Sequence, residues 1–163
     1  MKKVTIFFII LILFCACSSP SSARSDIISW AKEIVALEKQ SEIVFQNIQP
    51  LIATIVERPP TANELIQLND YSNNVTFLYN QLIKINGPEE VRGVQSKYMD
   101  NYAKMADSAR YHVLAIRNNN IDYFNKSVSA AQDANRIGDD AYNDFIQLIN
   151  KFSISCSDIN YCE

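Results

Sequence analysis

Apolar residues recur along this chain at alternating steps of four and three, in four long stretches separated by short polar breaks. In the first, over 26–57, Trp30, Ile34, Leu37, Ser41, Val44, Ile48, Leu51 and Ile55 fall on one stripe, the seam of an amphipathic helix. Pro50 lies within it and removes one backbone bond, which predicts a kink there. Arg58-Pro59-Pro60 ends the stretch. Thr61-Ala62-Asn63-Glu64 then reads as a capping box, opening a second seam of Leu65, Leu68, Tyr71, Val75, Leu78, Leu82 and Ile85. Asn86-Gly87-Pro88 stops it, with Gly87 as C-terminal cap and Pro88 at the first position of the next helix.

The third stretch, over 88–117, carries Glu89 and Glu90 at the positive end of its dipole. Its seam is Val91, Gln95, Tyr98, Tyr102, Met105, Ala109, His112 and Ile116. The fourth, over 121–152, turns Phe124, Val128, Ala131, Ala134, Gly138, Ala141, Phe145, Leu148 and Phe152 inward. The middle of that face is small, so a neighbouring helix or a bulky side chain such as Trp30 or a tyrosine is expected to approach closely. Links of two to four residues favour antiparallel neighbours. The expected fold is all-α, an up-down-up-down antiparallel four-helix bundle over 26–152.

A different pattern precedes the bundle. Lys2 and Lys3 are followed by an apolar run over 4–14, broken only by Thr5, and then by Cys15-Ala16-Cys17-Ser18-Ser19. At about 1.5 Å per residue such a run is far shorter than the ~30 Å hydrocarbon core, and it reads as the h-region of a signal peptide. Peptidases cut beside small residues, so Cys17, preceded by Ala16, fits the cut better than Cys15, preceded by Phe14. The arrangement resembles the lipobox of small bacterial lipoproteins. There the cysteine is lipidated and becomes the first mature residue. This chain departs from that pattern in having Phe14 where an aliphatic residue is usual. The resemblance implies that 1–16 is cleaved and that Cys17 carries the lipid; ordinary cleavage to a freely secreted protein is the alternative. Residues 17–25, rich in serine, read as a flexible tether.

Composition narrows the function further. The 163 residues carry 15 Lys and Arg against 18 Asp and Glu. Without Lys2 and Lys3, 13 against 18 remain, a net charge near −5. The basic residues are scattered, so no stripe suits nucleic acid or an anionic lipid surface. Residues 153–163 drop the helical pattern and contain Cys156 and Cys162, the thiols left once Cys15 is removed and Cys17 acylated. Their spacing matches neither a CxxC redox motif nor a zinc site. A local disulfide pinning the tail is expected in a non-cytosolic compartment.

Candidate chemistry is sparse. His112 is the sole histidine, and no Glu-x-x-His pair, CxxCH or nucleophile elbow accompanies it. It reads as a core residue hydrogen-bonded to a tyrosine or carbonyl, with Ser108 one turn away as a remote Ser–His pairing. Asp139, Asp140 and Asp144 read as a solvated face rather than a calcium site. Eight tyrosines are the remaining surplus; Tyr98 and Tyr102 with His112 could line a ligand cavity between helices. No catalytic residue, metal or cofactor is implied. The expected role is that of a non-catalytic lipoprotein, lipid-anchored on the extracytoplasmic side of a bacterial membrane and engaging another envelope protein. The alternatives are small-ligand binding near His112, Tyr98 and Tyr102 and, behind it, catalysis.

Overall fold

A computed structural model describes residues 20–161, apart from the side chains of 20, 21, 56 and 57. The expected signal peptide, Cys17 and Cys162 lie outside these residues. Among the described residues the chain is all-helical, with four helices that pack closely: α1 (Pro20–Glu57), α2 (Ala62–Leu82), α3 (Arg92–Asn118) and α4 (Ile121–Lys151). Short 3-10 turns, Glu89–Val91 and Cys156–Ile159, precede α3 and follow α4. No described helix is long and apolar enough to cross a membrane.

Helix α1 already runs at Pro20, the first described residue and six before the expected boundary, so Pro20 to Ser25 is helix rather than tether. Arg24 explains why the extension persists. Its guanidinium donates to the Phe152 carbonyl at 3.3 Å, the Ser153 carbonyl at 3.2 Å and the Asp158 carboxylate at 3.0 Å. The helix passes through Pro50 without a break in its assignment.

The start of α2 matches the capping box. Thr61 accepts from the Glu64 N–H at 3.3 Å, and Glu64 accepts from the Thr61 N–H at 2.7 Å. Its end does not match. The helix stops at Leu82, and Gly87 takes no left-handed conformation. Gly87 serves instead as a point of close approach: a Cβ there would stand 2.7 Å from Trp30 Cδ1 and collide with Val91.

Left-handed residues close α3, α4 and the tail's 3-10 turn. Asn119 (φ 46°), Ser153 (φ 51°) and Asn160 (φ 59°) each end a helix or turn. The following N–H groups reach back five residues, Asn120 to Ala115, Ile154 to Ile149 and Tyr161 to Cys156, at 3.0, 2.9 and 3.0 Å. These are Schellman closures. Asn120 at once caps α4, accepting from the Asp122 and Tyr123 N–H groups. The Asn118-Asn119-Asn120 run is therefore a stop-and-start signal.

Two hydrophobic clusters hold the helices together. One gathers Trp30, Ile34, Leu82, Tyr98 and Phe145 with Ile154 and Ile159 of the tail. The other, towards the α1–α2 link, gathers Ile48, Leu51, Leu68 and Val113. The tightest helix pair is α3 with α4. Along it Asn101 Nδ2 donates to the Ala134 carbonyl at 2.6 Å, and the Ser108 and Ser127 hydroxyls each donate to the other's carbonyl at 3.0 Å. Small residues on α4 permit this approach, as expected, but it is Asn101 that meets Gly138. Trp30 packs on Phe145 instead, ring centroids 6.0 Å apart.

The inward face of α4 departs from expectation at its N-terminal end. Ser127 and Ala130 are buried, whereas Phe124 and Val128 are 45% and 40% exposed. A strict seven-residue stripe drifts by about 20° per heptad on a straight helix. Four heptads separate Phe152 from Phe124, so a stripe correct near Phe145 has rotated well off the core by Phe124. The same drift puts Val113 in the core and leaves His112 and Ile116 half-buried on α3.

Candidate functional site

The sequence grouped His112 with Tyr98 and Tyr102, and the structure separates them. Ten residue steps along continuous helix, about 15 Å, separate Tyr102 from His112. Tyr98 and Tyr102 are both 3% exposed and line a groove of ≈ 380 Å³; His112 does not.

Helices α1 and α4 form the walls of this groove, α3 its floor and the tail one end. Glu38, Ser41, Glu42 and Phe45 come from α1, Tyr142 from α4 and Tyr161 from the tail. Gly138, with no side chain, keeps the α4 wall low. Burial pushes the Glu38 carboxyl above its ordinary value, although the neighbouring Tyr98 hydroxyl works the other way. That hydroxyl is enclosed beside Glu38 and meets no partner at proper hydrogen-bonding geometry. Burial raises Tyr98 and Tyr102 as well, so both stay phenolic. At the rim the Tyr161 hydroxyl donates to Tyr142 at 3.5 Å, which with partial burial raises Tyr161 to about 12. Among the described residues no lysine or arginine lines the groove. Lys39, next to Glu38, donates to the Asn160 carbonyl at 3.2 Å.

Sequence reasoning did not single out Glu38, Tyr142 or Tyr161. One signal was present: Ser41 interrupts the apolar seam of α1, and Glu38 and Phe45 flank it at spacings of three and four. The groove opens where that polar step faces the small middle of α4.

His112 lies near the α3–α4 link. Its Nε2 is buried with no hydrogen-bond partner, contrary to the expected tyrosine or carbonyl contact. Burial lowers its pKa, so the ring is neutral at neutral pH, and it packs on Phe124 at 6.4 Å. Ser108 turns to Ser127, which leaves no Ser–His arrangement. Around this end the surface is apolar and aromatic. Ile121 (68% exposed), Phe124 and Val128 follow one another at steps of three and four on α4. Beside them Tyr111 and Tyr123 stack at 6.2 Å, with the Lys126 ammonium over both rings.

The remaining candidates are structural. Asp144 pairs with Lys97 at 2.6 Å. Among the described residues no group of three or more His, Cys, Asp or Glu gathers as a metal site. Cys156 opens the tail's 3-10 turn; Cys162, its expected disulfide partner, lies outside the described residues. No protein-family model, curated protein or solved structure matches the chain.

Proposed function

We propose that this protein is a non-catalytic lipoprotein, anchored through acylated Cys17 on the extracytoplasmic side of a bacterial membrane. In this reading it docks another envelope protein through the surface around Phe124. The observation that carries the docking is the exposed stripe of Ile121, Phe124 and Val128. Three large apolar side chains on one helical face, beside stacked tyrosines, have the composition of an interface anchor. The anchor itself rests on the signal-and-cysteine pattern.

The helices are read as an up-down-up-down bundle, with the tail closed by a Cys156–Cys162 disulfide. In support, Lys97 meets Asp144, Lys104 meets Asp133 and Ser108 meets Ser127, numbers rising on α3 as they fall on α4. Arg24 at the start of α1 reaches Asp158 near the carboxyl end. Both ends then share the membrane-side pole, and the Phe124 surface looks away from the membrane.

Photo-crosslinking in the native cell tests the reading. A photoreactive residue at position 124 should give one discrete adduct, lost when Ile121 and Val128 are changed to Asp; the same residue at exposed Lys32 should give none. Cys17→Ala should abolish palmitate labelling and the adduct together. Undiminished labelling overturns the anchor, and equal adducts at positions 124 and 32 overturn the docking surface.

A further inference from the structure

We infer that the groove between α1 and α4 is a binding site for a small organic cation, an alkylammonium group held by Glu38 and the surrounding tyrosines. The inference is independent of the docking surface, which lies at the α3–α4 link.

Four features converge. The groove, at ≈ 380 Å³, falls within the range of about 300–1,000 Å³ typical of small-molecule sites. Its lining supplies, among the described residues, two carboxyl groups, Glu38 and Glu42, and no basic side chain. Among the described residues no ion pair engages Glu38. A half-buried carboxyl in that position is unfavourable when charged, and it recovers stability most directly from a cation brought alongside. Tyr142 and Tyr161, exposed at the rim, bring aromatic rings to the groove, and aromatic faces attract ammonium groups. Finally, the Tyr98 hydroxyl is enclosed at the floor with the Glu38 carboxyl as its neighbour, outside good hydrogen-bonding geometry. A polar atom held so poorly at such depth is costly in a purely structural core. Beside Glu38 it is placed to orient that carboxyl toward a ligand.

The lining also discriminates. Two carboxyl groups reject anions, and a neutral ligand of the same shape would leave Glu38 without its counter-charge. Entry is from the rim, where Tyr142 and Tyr161 are both partly exposed and touch through their hydroxyls.

Calorimetric titration of the full-length protein in detergent tests the assignment with choline, butylammonium and 3,3-dimethylbutan-1-ol, the neutral isostere of choline. The two cations should bind with dissociation constants in the millimolar range or tighter, and the isostere about tenfold more weakly, near 1.4 kcal/mol. Glu38→Gln should weaken both cations about tenfold and leave the isostere unchanged. Tyr142→Leu, at the exposed rim, should weaken the cations without altering the thermal midpoint. No binding of either cation overturns the assignment, as does equal affinity for choline and the isostere. So does a Glu38→Gln variant, folded by circular dichroism, that binds the cations as the parent does.

Discussion

At the residue scale, two polar side chains of opposite legibility show how far a local motif reaches. Glu64 was readable because its partners are three residues upstream and beyond. It accepts from the Thr61 N–H and takes a two-pronged contact from Arg58, at 2.8 and 2.6 Å. Those donors, Arg58 foremost, lower its pKa from 4.5 to about 2. The unfolded chain therefore takes up the proton first as pH falls. The capping contribution is complete above pH 4.5 and disappears towards pH 2. The urea midpoint of the parent should exceed that of Glu64→Gln at pH 7, and the gap should close between pH 4.5 and 2; a gap that persists at pH 2 refutes the linkage. His112 was not readable in the same way. Its half-buried, unpartnered state follows from the rotation of α3 against α4, which no neighbour in sequence specifies.

At the scale of the elements, the helices were legible from periodicity and the caps only in part. The glycine at 87 read as a cap and the asparagines near 119 only as a break between helices, yet it is the asparagines that act as caps. What each glycine does depends on the space around it, so one substitution gives three results. Gly93→Ala meets nothing within 4 Å and should stabilise by about 0.5–1 kcal/mol through helix propensity. Gly87→Ala drives a methyl group into Trp30 and Val91 and should destabilise by about 1–3 kcal/mol. Gly138→Ala gains the same propensity but places Cβ 2.8 Å from Asn101 Nδ2. Disturbing that buried bond to Ala134 costs about 1–3 kcal/mol, so net destabilisation of about 1 kcal/mol should follow. In an Asn101→Ala background the Gly138→Ala penalty should vanish, and denaturant midpoints across the four proteins check the coupling. A Gly138→Ala penalty unchanged by Asn101→Ala would show that the helices meet differently.

At the scale of the whole molecule, the two ends of the chain meet through Arg24, a residue that reads locally as part of a tether. Arg24→Ala should destabilise by about 1 kcal/mol, since the lost bonds are partly exposed. It should also raise amide exchange across 153–161 more than in α2; uniform protection would show the tail held by Ile154 and Ile159 alone. What the sequence determined by itself is everything that repeats or acts locally: the all-helical class, four segments, the Thr61–Glu64 box, the small face of α4 and the signal-like start. Backbone hydrogen bonding and capping are settled within a few residues, so pattern suffices. Only the tertiary structure decided the rest. The small drift of each seam over four heptads turned Phe124 and Val128 outward and Ser127 inward. The close approach of α3 and α4 at Asn101 and Gly138 set the floor and one low wall of the space beside α1. From that spacing came a groove in which Glu38 joins tyrosines from two helices and the tail, residues as far as 123 positions apart in the chain. No local pattern specifies their meeting, because it depends on helix rotation and separation, which only packing supplies.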